Sequence, residues 1–294
     1  MSKAIHGRQG GSIVHMASLL ALLSSLLWGT ADFEGGRLSK KHAPIAVLGF
    51  SQVLGLIFGI ILMMITGAWH ARAFGDGGYF IPGVFAGLMG YAGLFCLYAG
   101  LSTGRMGVVS PISSMGAVVP LTYALLNGDK LSTITSIGVV LALIGVFCAS
   151  GPELSQGLPL KPLLLAFGAA IGFGVALTFM SIGSESSALM TMVVMRASTF
   201  LVTINIAIKF KSLGGFSKSE MPSLIFMGIS DFLANLLLGI ACNNGLVSIA
   251  MVLGSLFPIA TAVLAFKILH ERLHKVQYVG IVLAVAGVGL ISAF

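Results

Sequence analysis

From residue 16 to residue 293 the sequence is a ladder of uncharged apolar stretches, each closed by a short polar or glycine-bearing break. A stretch of about 20 such residues covers the hydrocarbon layer of a bilayer. Inside that layer every backbone N–H and C=O must be bonded within the protein, so a lone spanning stretch has to be a helix. The runs predict helices near residues 16–35, 44–67, 79–101, 106–127, 132–151, 162–182, 189–210, 221–242, 246–269 and 275–293. Their breaks carry turn chemistry, as at Gly35-Gly36, Asp76-Gly77-Gly78, Asn127-Gly128-Asp129, Ser184 to Ser187 and Asn243-Asn244-Gly245. With 57% hydrophobic and 9% charged residues and a mean hydropathy of +1.04, a soluble domain is excluded, because it could not hide so much apolar surface. The expected fold is an all-α polytopic membrane protein of about ten transmembrane helices.

Charge follows the same logic. The net charge of +7 comes from basic residues at helix ends, where anionic headgroups lie, so nucleic acid is not an expected partner. Alternating spans place Lys3, Arg8, Arg72 and Lys130 on one side and the larger basic group, including Arg37, Lys40, Lys41, Lys209 and Lys275, on the other. The positive-inside rule then puts both termini outside the cytoplasm. A cleaved signal peptide is the weaker reading of the first span, and Met16 is an alternative start that would leave residues 1–15 out of the native protein. Cys96, Cys148 and Cys242 stand alone in separate runs and read as packing residues.

The ladder repeats. Phe85-Ala86-Gly87 through Leu97 to Gly104 aligns with Phe226-Met227-Gly228 through Leu238 to Gly245 at a constant offset. The turn Asp129-Lys130-Leu131 then matches Glu271-Arg272-Leu273, and Gly138 and Gly145 match Gly280 and Gly287 after a small shift. The domains are accordingly a tail at 1–15, a first repeat at 16–151, a linker at 152–161 and a second repeat at 162–294. Each repeat holds an odd number of spans, so the second lies inverted relative to the first, the arrangement of alternating-access carriers.

With Trp28-Gly29 and Ala31-Asp32-Phe33 in the first span, two five-helix halves, and an acidic-basic-Leu turn closing each fourth helix, the chain resembles the EamA family of the drug/metabolite transporter superfamily. It departs from the family pattern in having Asp129-Lys130 where Glu-Arg is usual, and in setting Pro120 nearer that turn than Pro258 is to Glu271. The resemblance implies a transporter and not an enzyme, favours export, and offers proton exchange as the driving force.

Polar residues are costly within spans, so their spacing marks the inward faces. Asp231, Asn235 and Cys242 share a stripe of the eighth span, and Arg196, Thr199 and Thr203 a stripe of the seventh. At about 1.5 Å per residue Arg196 lies roughly 10 Å and Asp231 roughly 16 Å from the face joining those helices, close enough in depth to pair or to share a substrate. This is the leading site. Asp231 would take a proton or face a cationic group while Arg196 receives a carboxylate; a purely structural ion pair is the alternative. Ser25, Trp28 and Asp32 form a second stripe in the first span, with Asp32 in reach of water or Arg37. Tyr91 and Tyr98 occupy one face of the third span, and Ser110, Ser114 and Ser255 add hydroxyls. The binding set is thus Trp28, Asp32, Tyr91, Tyr98, Arg196, Asp231, Asn235 and Ser255, with Asp231 and Asp32 as proton-coupling candidates. Pro111, Pro120 and Pro258 are expected to bend the fourth and ninth spans.

His270-Glu271-Arg272-Leu273-His274 satisfies H-E-x-x-H, which in metalloproteases holds zinc. An intramembrane zinc protease is therefore an alternative, as is a channel. The repeat explains the segment better, since its counterpart Asp129-Lys130-Leu131 carries no histidine. No metal, cofactor or catalytic residue is expected. The expected partners are the lipid bilayer and a small polar metabolite such as an amino acid. A homodimer is an open alternative, and the expected location is a bacterial inner membrane.

Overall fold

The computed structural model describes residues 2–103, 106–149, 160–210, 214–268 and 274–293. They contain helices and no strand. In chain order the helices are α1 (Ser2–Ser39), α2 (Pro44–Thr66), α3 (Phe80–Thr103), α4 (Met106–Ser114), α5 (Val118–Leu126), α6 (Thr133–Ala149), α7 (Leu160–Phe210), α8 (Met221–Asn244), α9 (Val247–Gly254), α10 (Phe257–Ile268) and α11 (Lys275–Ala293). α1 begins well before the expected first span, and its apolar part runs His15–Ser39. Length and composition suffice for membrane crossing in six helices of the described residues, and shorter apolar helices include Thr133–Cys148 and Lys275–Ile291.

Sequence chemistry sets the ends and breaks. α2 opens with Pro44, whose missing N–H costs nothing in a first turn. It closes at Gly67, whose left-handed φ of 68° lets its N–H return to the Met63 carbonyl. α7 is two arms joined at Ser187, which is extended (φ −164°, ψ 112°). The Ser187 hydroxyl accepts the Met190 N–H at 3.2 Å and so caps the second arm.

The fourth and ninth crossings are each broken in two. A short 3₁₀ turn, Met115–Ala117, separates α4 from α5, and Ser255-Leu256 separates α9 from α10. Pro120 and Pro258 fall in the first turns of α5 and α10, where proline starts a helix without costing it a bond. Pro111 does not mark a break: it lies within α4, and the interruption comes after Ser114. The reason is packing. At Gly116 the first arm of α7 comes so close that an added Cβ would collide with the Ala170 carbonyl oxygen, and at Gly174 one would stand 2.9 Å from the Gly116 oxygen.

Glycine also sets the other close contacts. A Cβ on Gly55 of α2 would stand 2.9 Å from the Gly228 oxygen of α8. On the periphery α6 and α11 cross through Gly138 against Gly287 and Gly145 against Gly280, where added Cβ atoms would meet backbone oxygens at 3.0 Å and 2.8 Å. Leu19, Leu23 and Leu26 on α1, Ile57, Ile61 and Ile65 on α2, and Val279, Val282 and Val285 on α11 form exposed apolar stripes that suit lipid contact.

Candidate functional site

Because α2 and α8 touch at Gly55 and Gly228, the residues one turn away on each helix meet in the interior. These are Gln52 and Asp231, 2% and 6% exposed. The Asp231 carboxylate is the convergence point of four helices. Arg196 on the second arm of α7 donates from Nη2 to Oδ2 at 2.8 Å, and Gln52 donates from Nε2 to the same oxygen at 2.9 Å. On the other oxygen, Trp28 of α1 donates from Nε1 at 3.1 Å and Asn235 from Nδ2 at 3.2 Å. Asn235 also donates to the Asp231 carbonyl at 2.7 Å. Both carboxylate oxygens are thus doubly bonded, which is what keeps a buried charge affordable. The Nε of Arg196 is buried without a partner, and it faces α2, where a Cβ on Gly55 would stand 3.5 Å away.

Beside this cluster lies an internal cavity of about 60 Å³, several times the space one water needs. Trp28, Asp32, Arg196, Asp231, Asn235 and Ser255 all border it. Both helix breaks end on it, through Ser113 and Ser114 in one half and Ser255 in the other. The Ser113 and Ser255 hydroxyls turn back onto their own helices, donating to the Val109 and Val252 carbonyls at 2.7 Å. Aromatic and apolar side chains, including Phe173, Phe257, Leu177 and Met180, supply the rest of the wall.

Equivalent positions of the two repeats border the cavity. Gly90 and Asp231, Leu94 and Asn235, and Ser114 and Ser255 are pairs at the offset of the Phe85/Phe226 alignment, and all six border this one space. The shape is shared between the halves while the charge is not, since Gly90 stands where the second half has Asp231.

Asp32 differs from Asp231 in its surroundings. It is 5% exposed and faces the cavity, yet among the described residues no hydrogen bond or ion pair reaches its carboxylate. Arg37, the partner in reach by sequence, pairs instead with Glu34 at 2.6 Å and donates to the Ser223 hydroxyl at 3.2 Å.

Tyr91 and Tyr98 are buried but do not border the cavity. The Tyr91 hydroxyl meets Thr203 Oγ1 at 3.1 Å, and the Tyr98 ring fills the space above Gly35, where a Cβ would stand 2.5 Å from Cζ. Their helix face was readable; the neighbour it meets was not. Gln52 is the converse, a cluster member that the polar stripes did not include. The signal for it was a lone amide in the middle of an apolar span.

Polar latches close the two ends of the bundle. At one end Asp129 Oδ2 accepts both the backbone N–H of Ser248, at 2.9 Å, and its hydroxyl, at 2.8 Å, so a turn of the first half caps α9 of the second. The Asn243 amide donates to the Ser184 carbonyl at the same end. At the other end His42 Nε2 and Glu220 Oε1 are 3.0 Å apart. The His42 contact, then the Ser217 backbone N–H and hydroxyl, hold the Glu220 carboxyl down at about 2.

Four of the five residues of the H-E-x-x-H segment, His270 to Leu273, lie outside the described residues. Among the described residues no three His, Cys, Asp or Glu side chains gather to hold a metal.

The sequence matches the model of the EamA-like transporter family over residues 15–151 and again over 160–293. No curated protein matches it. Among solved structures, one described only as "Crystal structure of protein" superposes with a TM-score of 0.74, covering 93% of this chain and 95% of its own, at 17% identity. That likeness shows a shared fold. The two matched segments take in nearly the whole sequence, and the chain belongs to the EamA-like transporter family.

Proposed function

We propose that this chain is a secondary transporter that carries a small polar metabolite by alternating access, exporting it in exchange for protons. The observation that carries the reading is the central cavity, built from equivalent positions of both repeats and bordered by two interrupted helices. Inverted halves that exchange conformations would open such a space to each side in turn. The paired latches at Asp129–Ser248 and His42–Glu220 suit gates at opposite ends.

Proton exchange needs a carboxyl group free to gain and lose a proton. Asp231 has all its acceptor positions taken by Arg196, Gln52, Trp28 and Asn235. Asp32 has none taken, which favours it as the coupling group.

Counterflow of labelled substrate into proteoliposomes, screened over amino acids, amines, sugars and nucleosides with Arg196→Ala as control, tests the proposal. Accelerated exchange under excess unlabelled substrate is expected. Flux that never shows counterflow would indicate a channel and refute a carrier. For coupling, Asp32→Asn is expected to lose pH-gradient-driven accumulation, and full accumulation by that variant would sink the role of Asp32.

A further inference from the structure

The formal charges around the cavity do not balance. Arg196 contributes one positive charge, and Asp231 and Asp32 contribute one negative charge each. The Arg196–Asp231 pair is internally neutral at 2.8 Å, leaving the Asp32 carboxylate uncompensated in a site where it is 5% exposed. A buried carboxylate without donors requires a proton or a cation beside it. Among the described residues, the elements packed around α1 offer no spare positive group. Arg196 on α7 is committed to Asp231, and Tyr98 on α3 brings no positive charge. Lys267 on α10 lies exposed at the helix end, and α2 and α9 carry no ionisable side chain. Within α1 itself, Arg37 is held by Glu34.

Resting on the transport reading above, we propose that the cavity takes an organic monocation: a compound with one ammonium group, which sits on Asp32, and an apolar body with no carboxylate. The lining supports this class over a zwitterion: Arg196, the one cation bordering the space among the described residues, is already paired with Asp231, and much of the wall is apolar and aromatic, with Trp28, Phe173 and Phe257 bordering the space. Such rings attract a cation through their faces, and they cover a hydrocarbon body. The Trp28 indole N–H is already given to Asp231, which fixes the ring edge-on to Phe257 at 6.3 Å between centroids.

Three probes of matched body separate the possibilities: phenethylamine (cation), phenylalanine (zwitterion) and 3-phenylpropionate (anion). Each is titrated calorimetrically into the purified full-length protein in detergent, for wild type, Asp32→Asn and Asp32→Glu. Phenethylamine is expected to bind best, with an affinity loss of about tenfold or more in Asp32→Asn and recovery of most of it in Asp32→Glu. A monodisperse elution profile and unchanged melting temperature for Asp32→Asn tie the loss to the charge and not to folding. Preference for phenylalanine or phenylpropionate, no binding of phenethylamine to wild type, or undiminished binding by Asp32→Asn overturns the proposal. Counterflow of some other substrate without phenethylamine binding removes only the monocation assignment. Saturable, Asp32-dependent phenethylamine binding without counterflow of any substrate removes the transport reading and leaves the site.

Discussion

Replacing Arg196 with methionine keeps most of the side-chain volume and removes the one cation that faces Asp231. Three donors to the Asp231 side chain survive, from Trp28, Gln52 and Asn235, at 3.1, 2.9 and 3.2 Å. A side-chain hydrogen bond inside a membrane protein averages only about 0.6 kcal/mol, because the unfolded chain in lipid also finds partners. Those three together therefore supply roughly 2 kcal/mol. Stranding one member of a buried ion pair costs about 3–5 kcal/mol. Arg196→Met should thus cost more than Trp28→Phe or Gln52→Leu. Asp231→Asn strands Arg196 in turn, and Arg196→Met combined with Asp231→Asn removes both charges, so the double variant should recover much of the loss. The expected coupling is about 2–4 kcal/mol, well above the ~0.5 kcal/mol by which independent sites depart from additivity. Unfolding in mixed detergent and dodecyl sulfate micelles, followed by tryptophan fluorescence and circular dichroism, measures all four corners of the cycle. Coupling below ~0.5 kcal/mol, or an Arg196→Met protein within ~1 kcal/mol of wild type, would refute the argument that the ion pair dominates this junction.

Other expectations concern parts of the fold away from the cavity. Gly145→Val should push α6 off α11, since its Cβ would meet the Ala284 backbone and stand 2.8 Å from the Gly280 oxygen; a loss of about 1–3 kcal/mol is expected in the same unfolding assay, against little change for Gly289→Val, where nothing lies within 4 Å. Asp129→Ala removes the acceptor of both Ser248 donors and should cost about 1 kcal/mol as a lost helix cap, with faster amide exchange confined to the start of α9. Glu220 is held down at about 2 from a usual 4.5, so its contribution to stability is present in full above about 4.5 and disappears as pH falls through about 2. Melting curves of wild type and Glu220→Gln should therefore differ at neutral pH and converge in acid; parallel curves would contradict that contribution.

The spans were legible because bilayer thickness and the cost of buried charge act on every residue of a stretch at once, so no single position had to be read correctly. Breaks within spans were harder. Proline marks where a backbone bond is missing, and at Pro120 and Pro258 that coincides with the start of a half-helix, but the gap before α5 is set by the approach of α7 at Gly116, a contact between distant segments. The same limit applies to the site. Periodicity put Asp231 with Asn235 and Trp28 with Asp32 on common faces, yet it could not say that Tyr98 would pack against Gly35 or that Gln52 would reach Asp231 across the Gly55–Gly228 crossing. The equivalence of Gly90 with Asp231 was available in the alignment of the repeats. Its meaning appeared only once both were found facing one cavity.

The crossing of α6 and α11 joins equivalent helices of the two halves. Gly138 meets Gly287 while Gly145 meets Gly280, and since Gly138 corresponds to Gly280 and Gly145 to Gly287, trading the two halves converts each contact into the other. A seam that maps onto itself in this way keeps the same glycine contacts whichever half takes which shape. In the exchange of conformations proposed above it would serve as the fixed pivot.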